Sequence, residues 1–193
     1  MIRRTALVVA VAVASVACSS AGGEQRASAT TVVTISAPMA TLPRADATTA
    51  PALSTTTPVV PEGFERVAAT VTKADGETCD VCLWLADTPE QRARGLMFVT
   101  DLGNTDGMAF VYPGPRTGNF WMKNTLMPLS IAFFGVDGGY LGEFDMEPCT
   151  AEPCPRYRTA RDFVVAVETN RGELAEIGIG PGSALELTDV PCP

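Results

Sequence analysis

The chain contains no histidine. That absence removes the usual general base at neutral pH, so Ser-His-Asp and Cys-His mechanisms are excluded. A Gly-x-Ser-x-Gly nucleophile elbow, a phosphate-cradling glycine loop and a dinucleotide fingerprint are missing as well. Ser130 has no visible base partner. No apolar run reaches the roughly 20 residues that a membrane-spanning helix needs, and no internal repeat is present. Positive charge is scarce. Residues 63–193 carry 10 Lys and Arg against 19 Asp and Glu, a net charge of −9. Such a surface argues against nucleic acid as a partner and against charge-driven binding to anionic headgroups; its simplest consequence is solubility.

What is present begins with a secretion signal. Arg3 and Arg4 are followed by the apolar stretch Thr5–Ala17, and residues 1–17 read as a signal peptide. Small Ala17 precedes Cys18, as in a bacterial lipoprotein cleavage box, although Ser15 stands where such boxes usually have Leu or Val. Cleavage there would leave Cys18 lipidated, with two or three acyl chains giving a stable anchor on the outer face of the cell membrane. Ordinary cleavage nearby, and secretion, is the alternative. Residues 18–62 then read as the lipidated cysteine and a disordered tether. Of positions 19–62, 28 of 44 are Ala, Thr, Ser or Pro, a composition that cannot bury enough apolar surface to offset ordering entropy. Thr, Ser and Pro richness also resembles O-glycosylated stalks. Residues 63–193 form one domain.

Five cysteines lie in that domain, and outside the cytoplasm they are disulfide candidates. Cys149 and Cys154 flank a proline-bearing loop and are expected to bridge. The pair in "CDVC", Cys79 and Cys82, is followed by a strand and not by the helix that a thioredoxin-like redox motif requires. A lone CxxC without histidine also argues against a metal. A local Cys79–Cys82 bridge is the first expectation; pairing of one of them with Cys192 is the second.

The hydrophobic pattern predicts strands at 65–73, 81–86, 107–112, 119–124, 129–136, 140–147 and 162–169, with "SALELTDV" as a last one. Asp137-Gly138-Gly139 signals a hairpin. A two-turn helix is signalled at "DTPEQRARGL": Thr88 as cap, Pro89 in the first turn, Gln91 completing a capping box, Gly95 at the end. "NRGELAEIG" suggests a second short helix. The fold class is α+β and β-rich: a small antiparallel-rich, barrel-like or rolled sheet of seven to eight strands with two short helices.

Three ordered markers now matter: Arg-Gly-Leu-Met at 94–97, Gly-Met-x-Phe at 107–110, and Phe-Trp-Met-Lys-Asn-Thr at 120–125. With "GEFDMEPC" and "FVVAVETNRGELAEIGIGPGSALEL" they resemble the bacterial and archaeal family called domain of unknown function 192, over about residues 79–187. The resemblance implies a small β-rich, barrel-like fold and no established activity. The family usually has an acidic residue after Pro-Leu, where this chain has Ser130, and the paired cysteines look like an extracytoplasmic addition.

Three chemistries compete for these residues. Catalysis by carboxylates would need two acids across a cleft, and Glu143, Asp145 and Glu147 read more simply as a solvated edge. Met97, Met108, Met122, Met127 and Met146 could offer thioethers to Cu(I), but without clustered spacing they fit core filling better; no metal or cofactor is implied. Binding fits best. Trp121 offers a flat apolar platform with one N–H donor, and Lys123, Asn124, Thr125 and Arg94 are expected beside it, whereas Phe120 and Met122 read as core. The expected function is a membrane-tethered extracytoplasmic module for an envelope glycan or peptide. The alternatives are a protein-docking accessory subunit and, less favoured, an enzyme with an unrecognised carboxylate site.

Overall fold

The computed structural model describes residues 57–188 and Cys192. The expected signal peptide, Cys18 and the tether up to residue 56 lie outside the described residues. The described strands are β1 (Glu65–Thr72), β2 (Thr78–Ala86), β3 (Gly107–Arg116), β4 (Leu129–Phe134), β5 (Tyr140–Met146), β6 (Phe163–Asn170) and β7 (Ala184–Leu187), with one helix, α1 (Pro89–Arg94). They form one seven-stranded sheet in the order β5-β4-β6-β3-β2-β1-β7. Every pairing is antiparallel except β2 with β3. That exception has a physical cause, since a parallel pair needs a long crossover and α1 lies in the segment joining them.

The sheet is mixed and is not closed into a barrel; β5 and β7 are its edges. One isolated bridge, Gly139 to Ala184, joins the β4–β5 turn to the start of β7. There Tyr140 N–H donates to Ser183 O at 3.0 Å and Leu185 N–H to Gly138 O at 2.9 Å. The predicted hairpin turn is present, with Gly138 at φ 75° and Asp137 Oδ1 accepting from Gly139 N–H at 3.0 Å.

Both faces of the central strands are covered. On the first face Val71, Leu83, Phe134 and Val167 pack with Leu174, Ile177 and Ile179 from the chain after β6. On the second, Met108, Phe110, Ile131, Phe133 and Phe163 pack beneath Leu96, Phe120 and Met122. β4 is buried at every position, which explains why its sequence is apolar except at Ser130.

Helix α1 forms as its sequence signals. Thr88 Oγ1 accepts from Gln91 N–H at 3.2 Å and Gln91 Oε1 accepts from Thr88 N–H at 3.2 Å. Two expectations are corrected. "NRGELAEIG" is not a helix: its backbone closes mainly three-residue turns, Glu173 N–H to Asn170 O, Glu176 N–H to Glu173 O and Gly178 N–H to Ala175 O. Gly172 and Gly178, both at φ 84°, bracket too few residues for a helix to propagate. The run 119–124 is not a strand. It makes only two isolated bridges, of opposite sense, from Phe120 to Tyr157 and from Lys123 to Cys149, and Asn124 at φ 57° reverses the chain.

The Cys149–Cys154 bridge forms as expected. Cys82 pairs with Cys192 and not with Cys79, so the local CDVC bridge is corrected in favour of its alternative. The CDVC run lies within β2. Extended backbone sends Cys79 to the first core face and half-buries Cys82 elsewhere; strand residues at odd separations point to opposite sides.

Candidate functional site

The segment after α1 is laid across the second face by close approach. Gly95 has φ 48°, open to glycine, and a Cβ there would stand 3.1 Å from the Phe110 ring. The chain continues through Met97 to Phe98, whose N–H donates to Asn124 O at 2.8 Å. Phe98 (φ 63°) and Asn124 (φ 57°) are the two described non-glycine residues at positive φ, so the junction holds backbone strain of the kind found at binding loops.

Between this segment and residues 119–125 lies a cavity of about 80 Å³. Arg92 and Arg94 of α1, Met97, Phe110 and Tyr112 of β3, Trp121 and Thr125 are among its lining groups, and Glu168 of β6 completes them. Glu168 faces Met108 on β3 and Ile131 on β4 in register. It is only 5% exposed. Among the described residues nothing hydrogen-bonds its carboxyl, and burial alone pushes its pKa up to about 8. The backbone is tight here too: a Cβ on Gly107 would come within 2.2 Å of the Glu168 carbonyl oxygen.

Cations gather on the aromatic walls. Arg92 and Arg116 lie 4.7 and 4.5 Å from the Tyr112 ring centre. Arg156 and Lys123 lie 4.0 and 5.2 Å from the Trp121 ring. Arg92 also donates to Asp87 O and, at 2.8 Å, to Val111 O. Arg94 donates to Glu62 O at 2.8 Å. Burial raises the pKa of the Tyr112 phenol, against the neighbouring arginines.

Of the expected binding residues, Arg94, Trp121 and Thr125 line the cavity. Trp121 is half-buried and Thr125 is buried, at 4% exposed. Lys123 and Asn124 belong to the rim. Lys123 pairs with Glu152 at 3.3 Å, and that contact, after the Cys154 N–H bond, holds the Glu152 carboxyl below its usual range. Asn124 N–H donates to Cys149 O at 2.9 Å. The Cys149–Cys154 loop thus supplies Glu152 and Arg156 to the site's edge. Phe120 and Met122 are core, as read from the sequence, at 8% and 1% exposed.

Sequence reasoning missed Glu168, Tyr112, Arg92 and Arg156. The signal for Glu168 was a charge inside "FVVAVET": in a strand covered on both sides, a carboxylate has no solvated face to take. Ser130, which stands where the family usually has an acid, donates to Asp145 Oδ1 at 2.5 Å and accepts from Gly172 N–H at 2.9 Å. An acid is therefore retained beside that position, on the neighbouring strand.

This arrangement defines a small β-sheet domain with a polar-floored cavity under an aromatic platform. The chain belongs to the family described as Uncharacterized ACR, domain of unknown function 192 (DUF192), whose model matches residues 70–187. Two solved structures are similar. One, from Sinorhizobium meliloti and named as a candidate transcription regulator, is 27% identical over 66% of this chain and 97% of that one, with a TM-score of 0.59. The other, from Novosphingobium aromaticivorans and named as a protein of unknown function, is 32% identical over 68% of this chain and 94% of that one, with a TM-score of 0.55. No curated protein matches the chain.

Proposed function

We propose that the protein is an extracytoplasmic binding module, tethered to the outer face of the cell membrane through Cys18, that takes an envelope glycan or peptide in the cleft under Trp121. The observation that carries this reading is Glu168, a buried carboxyl with no hydrogen-bond partner among the described residues, lining a cavity beneath an aromatic platform. A fold selected for stability alone would replace that group with an apolar one; a ligand with a complementary polar end gives it a partner. The Cys82–Cys192 and Cys149–Cys154 disulfides fit an oxidising compartment. Among the described residues no helix is long and apolar enough to cross a membrane, so attachment rests on the expected lipid.

Native mass spectrometry of the full chain, after incubation with a soluble extract of its own cell envelope, tests the reading. A retained species of a few hundred daltons, lost in Trp121→Ala and Arg94→Ala, is the expected result. No retained species in a folded wild-type chain would contradict it. A second reading, docking of another envelope protein, is favoured by one observation. Phe98 and Leu126, 60% and 44% exposed, flank Asn124 on the rim. Retention of a mass of tens of kilodaltons, lost in Phe98→Ser, would select it.

A further inference from the structure

The charge around the cavity runs opposite to that of the domain. Residues 63–193 have a net charge of −9 with only ten cations, yet Arg92, Arg94, Arg116, Lys123 and Arg156 all line the cavity or lie over rings that line it. Lys123 is paired with Glu152. Arg156 lies close enough to Glu152 to help hold that carboxyl low. Among the described residues Arg92, Arg94 and Arg116 have no carboxylate partner, and their hydrogen bonds go to backbone carbonyls. Arginine side chains left without anions, in a domain rich in anions, mark a place where the anion is supplied from outside.

At the floor stands Glu168. An ionised carboxylate would oppose an anionic ligand, whereas a protonated one donates a hydrogen bond to it. We infer that the cavity takes a carboxylate, the acidic end of a sugar acid or a peptide, with the Glu168 carboxylic acid donating at the floor and Arg94 neutralising charge at the mouth. This rests on the binding reading above and names the ligand's chemistry. A carboxylate fits better than a phosphate. Apart from the arginines, the side-chain donors in the lining are uncharged, Glu168, the Asn119 amide, the Tyr112 and Thr125 hydroxyls and the Trp121 N–H, set among the rings of Phe110, Tyr112, Phe120 and Trp121. A doubly charged group would lose far more hydration than these donors return.

The inference carries a pH dependence. Met108 on β3 and Ile131 on β4 stand beside Glu168 in register, and the Tyr112 phenol, Arg92 and Arg94 from α1, Trp121 and Thr125 share its cavity; burial is the one cause of its shift, so the arginines do not offset it. The phenol is held above its ordinary value and stays neutral where Glu168 titrates. With its pKa raised to about 8, Glu168 is protonated at pH 6 and mostly ionised at pH 9.

The test uses the full chain and five probes, glucuronate, N-acetylalanine, the methyl ester of each and glucose 6-phosphate, with affinity read by NMR chemical-shift titration. At pH 6 each acid is expected to bind at least about tenfold more tightly than its ester, a factor ascribed to the charge-assisted contacts. At pH 9 the acids weaken about tenfold in the wild type, the fraction of Glu168 still protonated having fallen by that factor. Glu168→Gln, which keeps a donor and cannot titrate, binds the acids with equal affinity at both pH values. Esters that bind as well as the acids would overturn the inference, as would a wild-type affinity indifferent to pH or a Glu168→Gln variant that still weakens. Glucose 6-phosphate binding more tightly than glucuronate would also overturn it. If neither acid binds while the envelope extract still yields a retained species, the carboxylate inference fails and the binding reading stands. If neither occurs, both fail.

Discussion

The two faces of the sheet are made by the same strands and are finished differently. On β6, Val167 points into the first face and Glu168 into the second. The first face is closed by Leu174, Ile177 and Ile179 from a chain of tight turns, and among the described residues no buried carboxyl lies on it. The second is covered by residues 95–102 and 119–127, which leave a cavity with a carboxyl in its lining. One residue of register separates a position that only excludes water from one that holds a buried acid open to a cavity. The comparison shows where stability alone explains the sequence and where it does not.

The largest expected effect comes from exchanging the two roles. Val167→Asp puts a carboxyl on the closed face and should cost more than about 4 kcal/mol or prevent folding, as a buried charge without a partner does. Glu168→Gln should fold, and urea denaturation at pH 8 should find it at least as stable as the wild type. Equal losses in the two variants would erase the distinction between the faces.

A second effect sharpens it through pH. The folded pKa of Glu168 is raised from 4.5 to about 8. A proton held in the folded state stabilises it fully below the unfolded value, and that stability is lost as pH rises through the folded one. Urea midpoints for the wild type should therefore decline between about pH 4.5 and 8, by a total on the order of a few kcal/mol, and level off above. In Glu168→Gln this component of the decline should vanish. Two variants at the edge of the second face should do less. Gly95→Ala forces a Cβ toward Phe110 at a positive φ, and a loss of about 1–3 kcal/mol is expected by chemical denaturation. Thr88→Ala removes the helix cap, for about 1 kcal/mol.

Much of the strand framework was legible in the sequence, because strands, caps and tight turns obey local rules. The capping box at Thr88 and Gln91, the Asp137-Gly138-Gly139 turn and the Cys149–Cys154 loop all depend on residues a few positions apart, so spacing alone reveals them. The second face depends on distant chain. Glu168 acquires its meaning only when residues 92–97 and 119–125 are laid over it, and "FVVAVET" in isolation reads as one more strand. The run 119–124 misleads for the same reason. Its alternation is real, with Phe120 and Met122 buried, yet its partners are single residues of the 149–157 loop and not a neighbouring strand. Cys82 likewise finds Cys192 across a sequence separation of 110, which no local pattern announces.

The account's central claim is that Glu168 sits inside, without a partner and holding its proton, and the most direct measurement is its own titration. In the full chain labelled with ¹³C at glutamate carboxyls, the Glu168 resonance is assigned by its loss in Glu168→Gln. A midpoint near pH 8 is the result expected, with the other resolved glutamates titrating in the ordinary range. A Glu168 midpoint near 4.5 would mean a solvated or satisfied carboxylate, and would contradict both the cavity floor and the ligand chemistry drawn from it.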